Sequence, residues 1–152
     1  MDGATYTKLC EGLTLTAEKD TRGWSIGYGH NSPDIGPDTV WSRDTAESVF
    51  AQDYAQARIG AEAVVGSAWS GLNEVRRAAL TDMAYEMGVH GLAGFANTIA
   101  HVVRGQWQAA HDGVLLSAYA REVPERSHRT AFMLLTGQWP AGYGRDEDVV
   151  AQ

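Results

Sequence analysis

Cysteine is nearly absent. Cys10 is the one thiol in 152 residues, which excludes an internal disulfide framework and a cysteine-based structural zinc site. Its plain reading is a small buried apolar group rather than a nucleophile. Lysine is almost as scarce: ten of the twelve bases are arginine, leaving only Lys8 and Lys19. Against 19 acids this gives a formal charge of −7, the wrong balance for a chain whose main partner is nucleic acid. No apolar run approaches the length of a membrane-spanning helix. The first twelve residues lack a basic stretch followed by an apolar one, so no secretory signal is visible. Repeats and low-complexity tracts are missing too. What remains is ordinary for a globular chain, with 44% apolar and 20% charged residues. The length suits one compact domain, or two small lobes sharing a core.

The pattern along the chain predicts a short helix over 2–11, capped by Asp2 and carrying Tyr6, Leu9 and Cys10 on one face. Gly12 suits the left-handed position that ends it. Leu13, Leu15 and Ala17 alternate with polar residues, which predicts a strand; 19–23 reads as a hairpin turn and 24–29 as the returning strand. In that strand Trp24, Ile26 and Tyr28 share one face, while Ser25, Gly27 and Gly29 leave the other almost bare, open to close approach. Pro33, Gly36 and Pro37 mark a loop over 31–38. Ser42 then caps a helix over 43–65, whose apolar positions Phe50, Tyr54, Ala57, Ala61 and Val64 follow a 4-3-4-3 spacing. From Leu72 onward only helices are predicted: one capped by Asn73 and stopped by Gly88, one over 96–104, one over 107–119, and a last one begun by Pro124 and ended by Gly137. Asp146, Glu147 and Asp148 read as a solvated tail.

Two acids stand out. Glu11 ends the first helix, where the negative pole of the helix dipole disfavours its charged form, as a general acid requires. Asp20 sits in the hairpin turn. Together they could serve glycoside hydrolysis, which generally uses a protonated acid and a carboxylate flanking the bond. Each also has a plainer reading, as a solvated helix-end glutamate and a turn-forming aspartate. Nine extended residues reach about 30 Å, so the ribbon between them must bend for both to face one cleft. His90, His101, His111 and His128 lack the spacing of a metal site, and Trp41, Trp69, Trp107 and Trp139 read as core.

These residues also carry a resemblance. Glu11-Gly12-Leu13, Lys19-Asp20-Thr21 and 25–30 (SIGYGH), followed by 73–80 (NEVRRAAL), 87–95 (MGVHGLAGF) and 136–139 (TGQW), resemble in that order the phage-type lysozymes, over about residues 1–140. The resemblance implies an α+β, mainly helical, two-lobed fold in one domain: a hairpin lobe with the first helix (1–42), a linking helix (43–65), a helical lobe (66–140) and a tail (141–152). It implies hydrolysis of the β-1,4 bond between N-acetylmuramic acid and N-acetylglucosamine in bacterial peptidoglycan, by inversion. Glu11 matches the family's proton donor, Asp20 its second carboxylate, and Ser25 a threonine that helps place the attacking water. His30 matches a histidine that supports the hairpin and Arg126 an arginine near the donor. Tyr85, Glu86 and Thr98 match residues that line the cleft or meet the glycan.

Ser25 departs from the family threonine, the turn before it is one residue shorter, and Asn31 replaces an apolar cleft residue. The charge departs as well: the T-even members of the family are basic, whereas this chain is acidic. The expected partner is the peptidoglycan glycan strand, met by a monomer without metal, cofactor, nucleic acid or stable membrane insertion. Synthesis in a host cytoplasm and action on the wall after release are implied in the same way. A lytic transglycosylase, which needs one acid and no attacking water, and a non-catalytic glycan-binding relative stay open as alternatives. On Glu11 the helix end and Arg126 pull the pKa in opposite directions.

Overall fold

The structure is a computed structural model and describes residues 1–144. It is α+β and mainly helical, with one small antiparallel sheet near the amino end. Helix α1 (Gly3–Glu11) starts where the Asp2 carboxylate accepts the Thr5 N–H at 2.8 Å. It ends at Gly12, whose N–H reaches the Lys8 carbonyl. Gly12 has the positive φ expected of it (70°), but ψ is 171°, extended rather than left-handed helical. The chain therefore runs straight from Glu11 into the sheet.

Strands β1 (Thr14–Asp20), β2 (Gly23–Gly27) and β3 (His30–Asn31) lie in that order. The turn is tighter than the polar run suggests, because β1 continues to Asp20 and pairs it with Gly23. The returning strand stops at Gly27, where φ turns positive (70°), and β3 is an element the pattern did not predict. Register shifts between Thr14 and Glu18. A bulge of this kind bends and twists a strand. It also frees part of β1 to bond elsewhere: Ala17 donates to the Thr39 carbonyl, and Trp41 to that of Leu15. The alternation of Leu13, Leu15 and Ala17 thus fails to make a buried face, and Leu15 is exposed.

Helix α2 (Arg43–Val65) runs as predicted, opened by Ser42 accepting the Thr45 N–H. It serves two apolar clusters. Ala46, Phe50 and Tyr54 pack with Tyr28 under the sheet; Ala57, Ala61 and Val65 join the larger core. That core is formed by α3 (Glu74–Ala93), α4 (Ala96–Val103), α5 (Trp107–Leu115), α6 (Ala118–Glu122) and α7 (Pro124–Thr136), with Tyr6 of α1 fully buried in it. Leu80, Met83, Leu92 and Leu134 are wholly buried there, each contributing roughly 1.5–3 kcal/mol.

A 3₁₀ stretch, Gly66–Gly71, joins α2 to α3. Within α3 the helical backbone breaks at Gly88 (φ 81°, ψ 160°), the predicted stop, and one further turn follows. The helix predicted over 107–119 is two helices: Leu116 leaves helical geometry, and the Ser117 hydroxyl caps α6 by accepting the Ala120 N–H. The acidic tail at 146–148 lies outside the described residues. Among the described residues no helix is long and apolar enough to cross a membrane.

Candidate active site

A cleft of about 1080 Å³ opens between the sheet, α2 and the helices of the larger core. That is at or above the usual size of a small-molecule pocket and suits an extended ligand. Asp20, Gly29, His30, Asn31 and Asp53 line one side; Tyr85, Glu86, Gly88, Phe95, Tyr119 and Glu122 line the other. Tyr85 packs against both apolar clusters, and its hydroxyl donates to the Tyr28 carbonyl. The sheet and α3 are therefore stitched together at the cleft.

The charged centre is built on Arg126, brought in by the first turn of α7. Its Nε and Nη2 donate to both oxygens of Asp82, at 2.9 and 2.8 Å, in a bidentate pair. Asp82 is fully buried and also accepts from the Thr7 hydroxyl at 2.7 Å. The remaining terminal nitrogen, Nη1, donates to Glu11 Oε1 and to Glu86 Oε2, both at 2.8 Å. One guanidinium thus holds three carboxylates from two helices.

Glu11 is 14% exposed in its side chain. Burial pushes its pKa up, Arg126 draws it down through charge and hydrogen bond, and the charges of Glu86 and Asp82 push it up again. The outcome is about 7, against an ordinary 4.5. The sequence sets the helix end against Arg126; the largest cause in the fold is burial, which acts against Arg126.

The bare face predicted for β2 and the residues after it is filled by protein. Gly29 has φ 78°, and the Glu11 carboxylate occupies the space that a Cβ on Gly29 would need. Gly27 meets the Trp41 ring in the same manner, 2.9 Å from where its Cβ would stand. Glycine at 29 therefore lets the carboxyl of α1 lie directly against the backbone that lines the cleft.

Asp20 stands on the cleft wall at the end of β1, 36% exposed. It accepts the Arg22 N–H at 2.8 Å, in an Asx-type turn, and faces the Arg22 guanidinium at 3.6 Å. Ser25 lies in the middle of β2, paired with Glu18 on one side and Asn31 on the other. Asn31 donates to the Trp24 carbonyl, which fixes the end of the sheet. His30 joins Asp53 of α2 at 2.6 Å through Nδ1 and Ser32 at 3.1 Å through Nε2, with its ring beside Trp41. These contacts tie the sheet to the linking helix.

The structure brings Glu11, Glu86 and Arg126 together, places Asp20, His30 and Tyr85 on the cleft wall, and puts Thr98 elsewhere. Thr98 is buried in α4, with its hydroxyl against Gly113 of α5. Asp82 and Thr7 were not singled out in the sequence. A signal existed: Asp82 is one turn before Glu86 and interrupts an otherwise apolar face of Ala78, Ala79 and Met83. A buried carboxylate among such neighbours demands a cation or a donor. Among the described residues no group of three histidine, cysteine or acidic side chains could hold a metal ion.

A model of the phage lysozyme family matches residues 8–122, most of the chain, from just before Glu11 to just before Arg126. The pre-baseplate central spike protein Gp5 of Enterobacteria phage T4 is 28% identical over 90% of this chain, which spans 28% of the spike protein's length. Two proteins of Dictyostelium discoideum, probable T4-type lysozymes 1 and 2, are 23% and 24% identical; each match covers 86% of this chain and 91% of the other.

Proposed function

We propose that this chain, which belongs to the phage lysozyme family, cleaves bacterial peptidoglycan with Glu11 as proton donor. Family membership supports a peptidoglycan-cleaving lysozyme. The bond is the β-1,4 linkage between N-acetylmuramic acid and N-acetylglucosamine. Glu11 protonates the departing glycosidic oxygen. Asp20, on the cleft wall and aided by the Ser25 hydroxyl, orients a water that attacks the anomeric carbon from the face opposite the leaving oxygen, with inversion. Tyr85 and Glu86 border the bound glycan; Arg126 fixes the donor carboxyl and His30 holds the hairpin in place. The glycan strand is met by a single copy of the chain.

One observation carries this reading: a carboxyl with a pKa near 7 lies against the backbone of a large cleft, while an accessible carboxylate stands on the same wall. The bulge in β1 supports it by supplying the bend that two acids nine residues apart require. A donor whose pKa matches a neutral medium is what acid catalysis needs.

The test is release of reducing ends from purified peptidoglycan. Glu11→Gln keeps the shape and removes the proton, so hydrolysis should fall by at least about 10²-fold. Asp20→Asn should fall comparably, and mass spectrometry should find ordinary reducing ends. Anhydro-muramyl ends with an active Asp20→Asn would instead identify a lytic transglycosylase. Tight glycan binding without any new ends would identify a binding module.

A further inference from the structure

Nothing in the family pattern explains why three carboxylates meet at one guanidinium. Asp82 occupies one edge of Arg126 with a bidentate pair, itself steadied by Thr7. Glu11 and Glu86 then share the single nitrogen left over, at equal distances. Had Arg126 faced Glu11 alone, more of its charge would offset the burial that raises the Glu11 pKa, and the proton would be held less tightly near neutral pH. With one positive charge spread over three acids, the site favours keeping a proton. Glu11 is more buried than Glu86, which opens onto the cleft, so Glu11 is where that proton rests.

We infer that Glu86 is a positioning residue that keeps Glu11 protonated by competing with it for Arg126 Nη1, and so sets the upper pH limit of the reaction. The inference rests on the reading of Glu11 as proton donor. It assigns Glu86 a role beyond touching the glycan, and makes Asp82 its buried partner in the same task. Glu11 and Cys10 face the charged centre from α1, Asp82, Tyr85 and Glu86 from α3, and Arg126 from α7, with Arg129 of α7 against Cys10. Asp53 of α2 acts on Tyr85, and Tyr119 of α6 lies beside Asp82 and Arg126. Arg126 is the cation that bonds the acids at this centre; Glu86 is the acid among them that both bonds it and borders the cleft.

The direction follows from charge. Removing the negative charge of Glu86 leaves more of the guanidinium for Glu11 and stabilises its ionised form. The proton is then lost at lower pH, and the alkaline limb of kcat/KM moves down. For Glu86→Gln, whose amide oxygen can still accept from Arg126, the expected shift is about one pH unit.

Two measurements decide it: kcat and KM of peptidoglycan hydrolysis across pH, and carbon-detected NMR titration of the Glu11 carboxyl, in wild type and Glu86→Gln. A downward move of both the limb and the titration supports the inference. An unmoved titration overturns it, as does a raised KM with the limb in place, which would make Glu86 a glycan contact only. Glu11→Gln is run alongside. If it still hydrolyses, the proton-donor reading fails; if it is inactive while the Glu86→Gln titration stays put, only the inference fails.

Discussion

Gly29 is the residue on which the donor's placement depends. Its φ of 78° already disfavours a side chain, and the Glu11 carboxylate fills the space a methyl would take. Gly29→Ala should therefore act twice. The backbone strain should cost about 1–3 kcal/mol of stability, seen as a lowered denaturation midpoint. The displaced Glu11 should lower kcat by at least about tenfold, since small misplacements of a catalytic group are expensive. A fully active Gly29→Ala would show that the contact with Glu11 is incidental.

The same residue shows how far the sequence could be read. A bare strip over Ser25, Gly27 and Gly29 is legible as a place of close approach, but nothing local says what approaches. The occupants, Glu11 and Trp41, come from elsewhere in the chain. Glu11 and Asp20 are legible from helix-end and turn chemistry and from the family resemblance, Arg126 from the resemblance alone. Asp82 was hidden because it lies on an apolar helical face, where spacing alone reads as core.

At the level of elements, the signals that worked are those whose physics is local. Ser42 opens α2 because its hydroxyl satisfies one of the first amides. Pro124 and Gly137 bound α7 for the same kind of reason. The signals that failed depend on partners. The third strand exists because Asn31 and His30 pair with β2, and the bulge exists because β1 also bonds to Thr39 and Trp41. The break at Leu116 was within reach of the sequence, since Ser117 is a capping residue. The apolar spacing carried through it and masked it.

The short β3 leans on His30, which ties the sheet to α2 through Asp53 and to the following loop through Ser32. His30→Ala removes both bonds and leaves Asp53 without this partner. The expected loss is about 1–3 kcal/mol in a denaturant titration. Its location should be regional: amide exchange should accelerate through β1 to β3 and leave the core of α3, around Leu80 and Met83, slow. Uniform loss of protection would show instead that the sheet and the helical core open as one unit.

For the molecule as a whole, the charge arrangement that suits catalysis works against stability. Glu11 in the folded chain holds its proton up to about pH 7, whereas an unfolded chain releases it near 4.5. Between those values the folded state binds more protons than the unfolded one, so stability falls as pH rises through that window. Below about 4.5 the group is protonated in both states and its full favourable effect is present. Above about 7 the folded state must carry an ionised, buried carboxylate beside Asp82 and Glu86, at a cost on the order of 3 kcal/mol. Glu11→Gln removes that ionisation while keeping an oxygen for Arg126. Its melting temperature should therefore exceed wild type at pH 8, by several degrees for a chain of this size. The gap should narrow as pH is lowered and close near pH 4, where Glu11 is neutral in the wild type as well. Parallel thermal melts of the two proteins across pH 4 to 8 would reveal this convergence. A constant offset at every pH would instead assign the difference to packing and leave no role for the proton.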